Sequence, residues 1–146
     1  MAKFSTGIFK PKNPQKFIGK HAARWRSSWE LTLMNFLDIN ESVLYWSSEE
    51  IRIPYKHPFT NKITTYVPDF FVVSVDKNGK QNAEIIEIKP KSQSIIQEGK
   101  KTSQKNAVQV AINHCKWQAA LAYCKKNNIG FRVMTEEQIY YQGKKK

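Results

Sequence analysis

The run Glu84-Ile85-Ile86-Glu87-Ile88-Lys89 is the feature that most limits what this chain can fold into. Along an extended strand alternate side chains share a face, so Ile86 and Ile88 point one way while Glu87 and Lys89 point the other. Upstream, Val67-Pro68-Asp69-Phe70-Phe71 leads into a second β-branched and aromatic run that ends at Val75. Between the two runs lies Asp76-Lys77-Asn78-Gly79-Lys80, a strong hairpin turn. Such a hairpin carries Asp69 to the same end of the sheet as Glu87 and Lys89.

Two carboxylates and a lysine converging at a strand end suit a divalent cation and an attacking water. Hard cations such as Mg²⁺ take oxygen ligands, through one or two carboxylates plus waters and phosphate oxygens, and there they activate water and stabilise phosphoryl charge. Mn²⁺ is expected to substitute. Lysine, a compact point charge, would orient the water or neutralise developing negative charge. From these residues alone a surface hairpin with a cross-strand Asp to Lys ion pair remains the plainer alternative.

The net charge of +12, from 24 Lys and Arg against 12 Asp and Glu, attracts polyanions. Nucleic acid leads as the partner, and an anionic membrane is disfavoured because no basic amphipathic helix with an exposed aromatic face is visible. No apolar run approaches the ~18 residues of a membrane span. The N-terminus lacks a signal-peptide core, so a soluble intracellular protein is expected. Cys115 and Cys124, nine residues apart in one predicted helix, are too far apart for a disulfide, and no Cys/His cluster suggests zinc. The 146 residues suit one domain.

Residues 1–26 contain no acid, while Lys10, Lys12, Lys16, Lys20, Arg24 and Arg26 recur among Pro11, Pro14, Gly7 and Gly19, which argue against regular structure. Phe4, Phe9 and Phe17 interleave with these cations, so the arm is expected either to pack on the body or to fold over a bound polyanion. The six basic residues are DNA-contact candidates. A helix follows, capped by Ser27 or Ser28, with Glu30 on the face of Leu33, Met34 and Leu37. Glu30 reads equally as a capping-box acid and as a site carboxylate turned inward.

Strands are expected at Val43 to Trp46, at Ile51 to Tyr55 with Pro54 marking an edge, and at Lys62 to Val75, where Pro68 would bulge the strand and re-aim Asp69. His57 sits in the intervening turn and is read as solvent-exposed rather than as a base. Pro90 stops the Glu84 strand, and a lysine-bearing loop runs from Lys91 to Lys105. A helix then spans Ala107 to Asn127, with Val108, Ala111, Ile112, Cys115, Ala119, Ala122 and Tyr123 as its apolar stripe. Lys116 on this helix is a further DNA-contact candidate. Phe131 to Met134 forms a last strand, Thr135 to Gln138 begins a short helix, and Lys144 to Lys146 is a basic tail. The order is that of an α/β fold, a mixed central sheet flanked by helices.

Pro68-Asp69 followed by Glu87-x-Lys89, with a glutamate in the first helix and a closing helix and strand, resembles the PD-(D/E)xK nuclease superfamily, whose core is that of restriction endonucleases. Within it the chain is similar to the head completion nucleases of T-even-like tailed phages. The residues that carry the likeness are Lys10-Pro11-Lys12-Asn13-Pro14, Arg26-Ser27-Ser28-Trp29-Glu30-Leu31, Trp46-Ser47-Ser48-Glu49-Glu50, Ile53-Pro54-Tyr55, Asp69-Phe70, Glu87-Ile88-Lys89-Pro90, Lys116-Trp117-x-Ala119-Ala120 and Thr135-Glu136.

The resemblance implies metal ligation by Asp69 and Glu87, a catalytic role for Lys89, and Glu30 as a supporting acid at the metal. It divides the chain into a basic arm over 1–26 and one nuclease domain over 27–146. It further implies Mg²⁺-dependent cleavage of double-stranded DNA, endonucleolytic and with exonuclease activity open, during head completion and head-tail joining. Phage head or neck proteins would be partners, and the setting would be the host cytoplasm during assembly or the virion itself. The endonuclease subunit of heteromeric cut-and-paste transposases shares these motifs, but a chain this short without a regulatory domain favours the phage family. A non-catalytic DNA-binding virion protein is the remaining alternative, weakened because Glu30, Asp69, Glu87 and Lys89 are all present.

Overall fold

A computed structural model describes residues 6–90 and 104–135. The loop expected between Pro90 and residue 104, the helix expected beyond Thr135 and the lysine tail lie outside these residues. Strands β1 (Gly7–Ile8) and β2 (Arg24–Trp25) come first, then helix α1 (Ser28–Ile39) and strands β3 (Val43–Ser48), β4 (Ile53–Lys56), β5 (Ile63–Tyr66), β6 (Phe70–Val75) and β7 (Gln81–Ile88). Helix α2 (Gln104–Asn127) and strand β8 (Gly130–Met134) complete the described chain. The central sheet has the order β3-β6-β7-β8. Its first two pairings are antiparallel and β7 pairs β8 in parallel, which makes it the expected mixed sheet.

The sheet buries both faces, and the alternation of β7 assigns its residues to them. Ile86 and Ile88 join Leu33, Met34, Leu37, Trp46, Phe70 and Val72 beneath α1, while Ile85 packs with Ile53, Tyr55, Tyr66, Ala120 and Cys124 beneath α2. Glu87 shares the parity of Ile85, so it belongs to the α2 side. The β6–β7 turn is fixed by Asp76, whose Oδ1 accepts from the N–H groups of Asn78 and Lys80, each at 2.9 Å. Gly79, at φ +82°, takes the left-handed position that such a turn needs.

The run from Lys62 to Val75 is not one bulged strand. It breaks at Val67-Pro68-Asp69 into β5, which among the described residues pairs with β4 alone, and β6, which enters the central sheet. Pro68 is fully buried and offers no N–H to a ladder, so the chain changes sheets there instead of bulging. On α2 the fully buried positions are Val110, Asn113, Ala120 and Cys124, and Cys115, Ala119 and Tyr123 of the expected stripe pack beside them. Asn113, polar yet wholly buried, is absent from that stripe, while Val108 and Ala122, which belong to it, are exposed. Cys115 and Cys124 are free thiols.

From residue 6 onward the arm packs on the body. Phe9 donates its N–H to the Ala23 carbonyl at 2.8 Å, and the rings of Phe9 and Phe17 meet Trp46 edge-on with centroids 5.8 and 4.8 Å away. Contrary to the expectation of irregular chain, β1 and β2 pair, and Pro14–Lys16 makes a 3₁₀ turn. The carboxylate of Asp38, 2 % exposed, accepts from the N–H groups of Lys12 and Asn13. The Lys16 ammonium donates to the carbonyls of Asp38 and Asn40, each at 2.8 Å, neutralising the negative end of α1.

Candidate active site

Asp69 comes to Glu87 because the β6–β7 register pairs Phe70 with Ile86, which sets Asp69 beside Glu87 one step further along. The ladder closes through a side chain there, since the Ile88 N–H donates to Asp69 Oδ2 at 2.8 Å. Lys89, two residues beyond Glu87 on the same face, holds its Nζ 3.7 Å from Glu87 Oε2. Glu87 is only 4 % exposed, whereas Asp69 keeps part of its surface open. The predicted trio of Asp69, Glu87 and Lys89 is therefore assembled at one sheet end.

Three residues complete its surroundings. Tyr66, the last residue of β5, donates its hydroxyl to Glu87 Oε1 at 2.8 Å from a buried position. Lys116 reaches in from α2 with its ammonium 6.0 Å from the Tyr55 ring centre and 5.7 Å from that of Tyr66, within cation–π range. It feels the charges of Lys89, Glu87 and Asp69. Glu49 adopts φ +57°, a left-handed conformation uncommon for a side-chain-bearing residue. There it donates its N–H to the Asp69 carbonyl at 3.1 Å, and its carboxylate pairs with the Arg26 guanidinium.

Glu30 stands in the first turn of α1. Ser27 caps α1, its Oγ accepting the Glu30 N–H at 3.2 Å, and Glu30 Oε1 accepts the Arg26 N–H at 2.9 Å. The carboxylate thus reaches one residue further back than in a capping box, where it would bond the cap's own N–H. It also faces the site closely enough for its charge to raise the Asp69 pKa.

Burial, reinforced by the charge of Glu87, pushes the Asp69 carboxyl well above the usual carboxylate range. Burial also raises Glu87, opposed by Lys89 and the Tyr66 hydrogen bond, and raises Glu30, opposed by the Arg26 N–H. Lys116 is pushed down by burial and then by Lys89, and burial followed by the Glu87 charge raises Tyr66. Two crowded carboxylates that resist ionising together form a site short of positive charge, and their hard oxygens suit a small dication. No three His, Cys, Asp or Glu side chains among the described residues close on one point, so a cation here would depend on two carboxylates together with water and substrate oxygens.

The other predicted contact residues separate into groups. Lys10, Lys12, Lys20, Arg24 and Arg26 are exposed, although Arg26 is paired with Glu49, and Lys16 is engaged at the end of α1. His57 accepts the N–H groups of Phe59 and Thr60 on Nδ1, a turn-building role apart from the carboxylates. Sequence reasoning misses Tyr66 and Glu49 at the site. A tyrosine ending a short strand reads as core, and Glu49 carries no spacing signal. Lys116 stands out in the sequence for its charge and for the Lys116-Trp117-x-Ala119-Ala120 motif, not as a neighbour of the acids.

Residues 40–136 match the family model described as TnsA-like endonuclease N terminal. Over 143 aligned residues the chain is 30 % identical to the head completion nuclease of Enterobacteria phage T4, an alignment that covers 92 % of this chain and 93 % of that protein.

Proposed function

The chain belongs to the TnsA-like endonuclease N-terminal family, and on that premise we propose that it is a Mg²⁺-dependent deoxyribonuclease that cleaves double-stranded DNA during phage head completion. Its mixed sheet with flanking helices is the PD-(D/E)xK, restriction-endonuclease-like core. The observation that carries the reading is the convergence of Asp69, Glu87 and Lys89 at one sheet end. Likeness along 93 % of the T4 head completion nuclease favours the phage role over a transposase subunit, and it makes head or neck proteins the expected partners.

Asp69 and Glu87 would hold the metal, with Glu30 as a supporting acid. A bound Mg²⁺ or Mn²⁺ would supply Lewis acidity and a more acidic water. Tyr66 fixes the Glu87 carboxylate through Oε1 and leaves Oε2 toward Lys89. Lys89 orients the attacking water or offsets charge on the phosphate, and Lys116 adds a second cation on the α2 side. Burial of Glu87 and the Tyr66 ring keeps bulk water from the floor of the site, so these charges act at reduced screening. Lys10, Lys12, Lys20, Arg24 and Arg26 would hold the DNA backbone, which fixes register without reading sequence.

Supercoiled plasmid and linear duplex, each incubated with Mg²⁺, Mn²⁺, Ca²⁺ or excess chelator, test the proposal. Cleavage is expected with the first two, and binding without turnover with Ca²⁺. Robust cutting in chelator, or none with any divalent ion, overturns it. Nicked and linearised plasmid together mark endonuclease action, and loss of end label from linear DNA marks exonuclease action.

A further inference from the structure

We propose that the β4–β5 hairpin is a separate DNA-binding element, a basic two-stranded ribbon that enters the major groove beside the scissile phosphate. The inference rests on the nuclease reading above and adds the surface by which the site is set on its substrate. From residue 51 to residue 68 the chain has no Asp or Glu but carries Arg52, Lys56 and Lys62. Its inward residues, Ile53, Tyr55 and Tyr66, are buried against α2 and the central sheet. The outward rungs pair Pro54 with Thr65 and Lys56 with Ile63, and all four residues are exposed.

Ile63, 70 % exposed, is the most exposed large apolar side chain among the described residues, and Phe59 at the tip is 58 % exposed. A single exposed apolar residue needs no explanation. Here two stand in a hairpin that carries cations and no acid of its own, which suits thymine methyls or sugar edges flanked by phosphates. The tip is also preorganised. His57 donates its N–H to the Lys62 carbonyl and accepts from Asn61 on its own, each at 2.9 Å, and its Nδ1 receives two further N–H groups. A tip already ordered loses little freedom on binding.

Width and reach agree with this assignment. The B-DNA major groove admits a two-stranded β-ribbon, and among the described residues β5 pairs with β4 alone. The Lys56–Ile63 rung lies three residues from Tyr66 along the strand, roughly 10 Å, and the Tyr66 hydroxyl touches Glu87. That span is about three base pairs, at roughly 3.4 Å each, so the rung lies within a few base pairs of the strand position that carries Tyr66 to the acids.

The test uses the full chain with Arg52→Gln, Lys56→Gln and Lys62→Gln combined, and separately Phe59→Ser. Duplex binding is measured in Ca²⁺ across a salt series, and single-turnover cleavage in Mg²⁺ at saturating DNA. The triple variant is expected to bind at least tenfold more weakly, with a log-log salt slope flatter by roughly 0.9 for each phosphate it no longer neutralises, and to cut within about twofold of wild type once saturated. Phe59→Ser should weaken binding with the salt slope unchanged. Lys56→Arg with Lys62→Arg, which alters neither charge nor core, should keep the wild-type slope and guards against a loss that is merely one of folding. Wild-type affinity and slope in the triple variant, beside a wild type that cuts, overturn the hairpin assignment alone. A wild type that neither binds nor cuts duplex overturns the nuclease reading and the hairpin with it.

Discussion

Tyr66 and Glu87 meet across 21 positions of sequence through one 2.8 Å hydrogen bond, and that bond joins the β4–β5 hairpin to the central sheet at the acid pair. The phenol donates to a carboxylate that is 4 % exposed, which is costly to leave unpaired. Replacing Tyr66 by Phe keeps the ring and removes only the donor. The fold should survive with a loss of about 1.5 to 3 kcal/mol, the usual worth of a hydrogen bond to a charged group. Metal affinity should fall roughly 10- to 100-fold, as when the partner that orients a ligand is removed. Thermal unfolding and metal titration check the two effects separately.

The Asp69 carboxyl gives the metal-free protein a pH signature. Folding holds its proton to higher pH than the unfolded chain does, so between the ordinary carboxylate pKa and the raised folded value unfolding releases a proton. Stability therefore falls as pH rises through that window. Asp69→Asn should flatten this slope and raise the melting temperature near neutral pH. Divalent metal should stabilise the wild type by mass action and the variant little. Melting curves over pH, with metal and with chelator, decide it, and an identical pH slope in wild type and variant would refute the assignment.

Ser27 and Glu30 separate cap from site. Ser27→Ala removes the Oγ that accepts the Glu30 N–H and should cost about 1 kcal/mol of stability with turnover retained. Glu30→Gln keeps an oxygen for the Arg26 N–H but removes the charge that faces Asp69. Its stability should hold while single-turnover cleavage drops, more mildly than for Asp69→Asn or Glu87→Gln. Full cleavage by Glu30→Gln would leave the residue a cap alone.

The site is legible in the sequence as far as local rules reach. Alternation puts Glu87 and Lys89 on one face, and the Asp76 to Lys80 turn brings Asp69 to them. The Tyr66 contact depends on where β5 lies after Pro68 breaks the chain, and nothing in the Lys62 to Val75 run separates a bulge from a change of sheet. Apolar counting puts Cys115, Ala119 and Tyr123 of α2 on its packed side but skips Asn113, which is among the fully buried positions. In the arm the lysines are visible, but Phe9 and Phe17 fit both packing and polyanion wrapping until Trp46 is placed between them.

That packing changes what an arm experiment measures. Phe9 and Phe17 lie against Trp46, and burying such a ring contributes about 1.5 to 3 kcal/mol, so deleting the arm should destabilise the fold as well as remove charge. Point changes avoid the confusion. Lys10→Gln, Lys12→Gln, Lys20→Gln and Arg24→Gln together should leave the melting temperature within a few degrees and flatten the DNA salt slope by roughly 0.9 per phosphate released. Lys16→Gln should do the reverse, lowering stability while the slope holds, because its ammonium serves the Asp38 and Asn40 carbonyls.

Lys116 gives the sharpest test, because one change should move two quantities in opposite directions. In the metal-free protein two lysines, Lys89 and Lys116, face the charges of Asp69 and Glu87. A dication held by the acids would meet both ammonium groups as repulsion, while a phosphate arriving afterwards would meet both as attraction. Lys116→Met keeps most of the stem over the Tyr55 and Tyr66 rings and removes the charge. Metal binding without DNA should therefore tighten severalfold, whereas single-turnover cleavage should slow by at least tenfold, about 1.4 kcal/mol of barrier. Lys116→Arg should recover part of the rate, since it restores the charge in a different shape. Calorimetric titration with Mn²⁺ and rapid-quench cleavage on the same proteins give both numbers. A purely structural lysine would weaken metal binding and cleavage together, and unchanged values for both would place Lys116 outside the site.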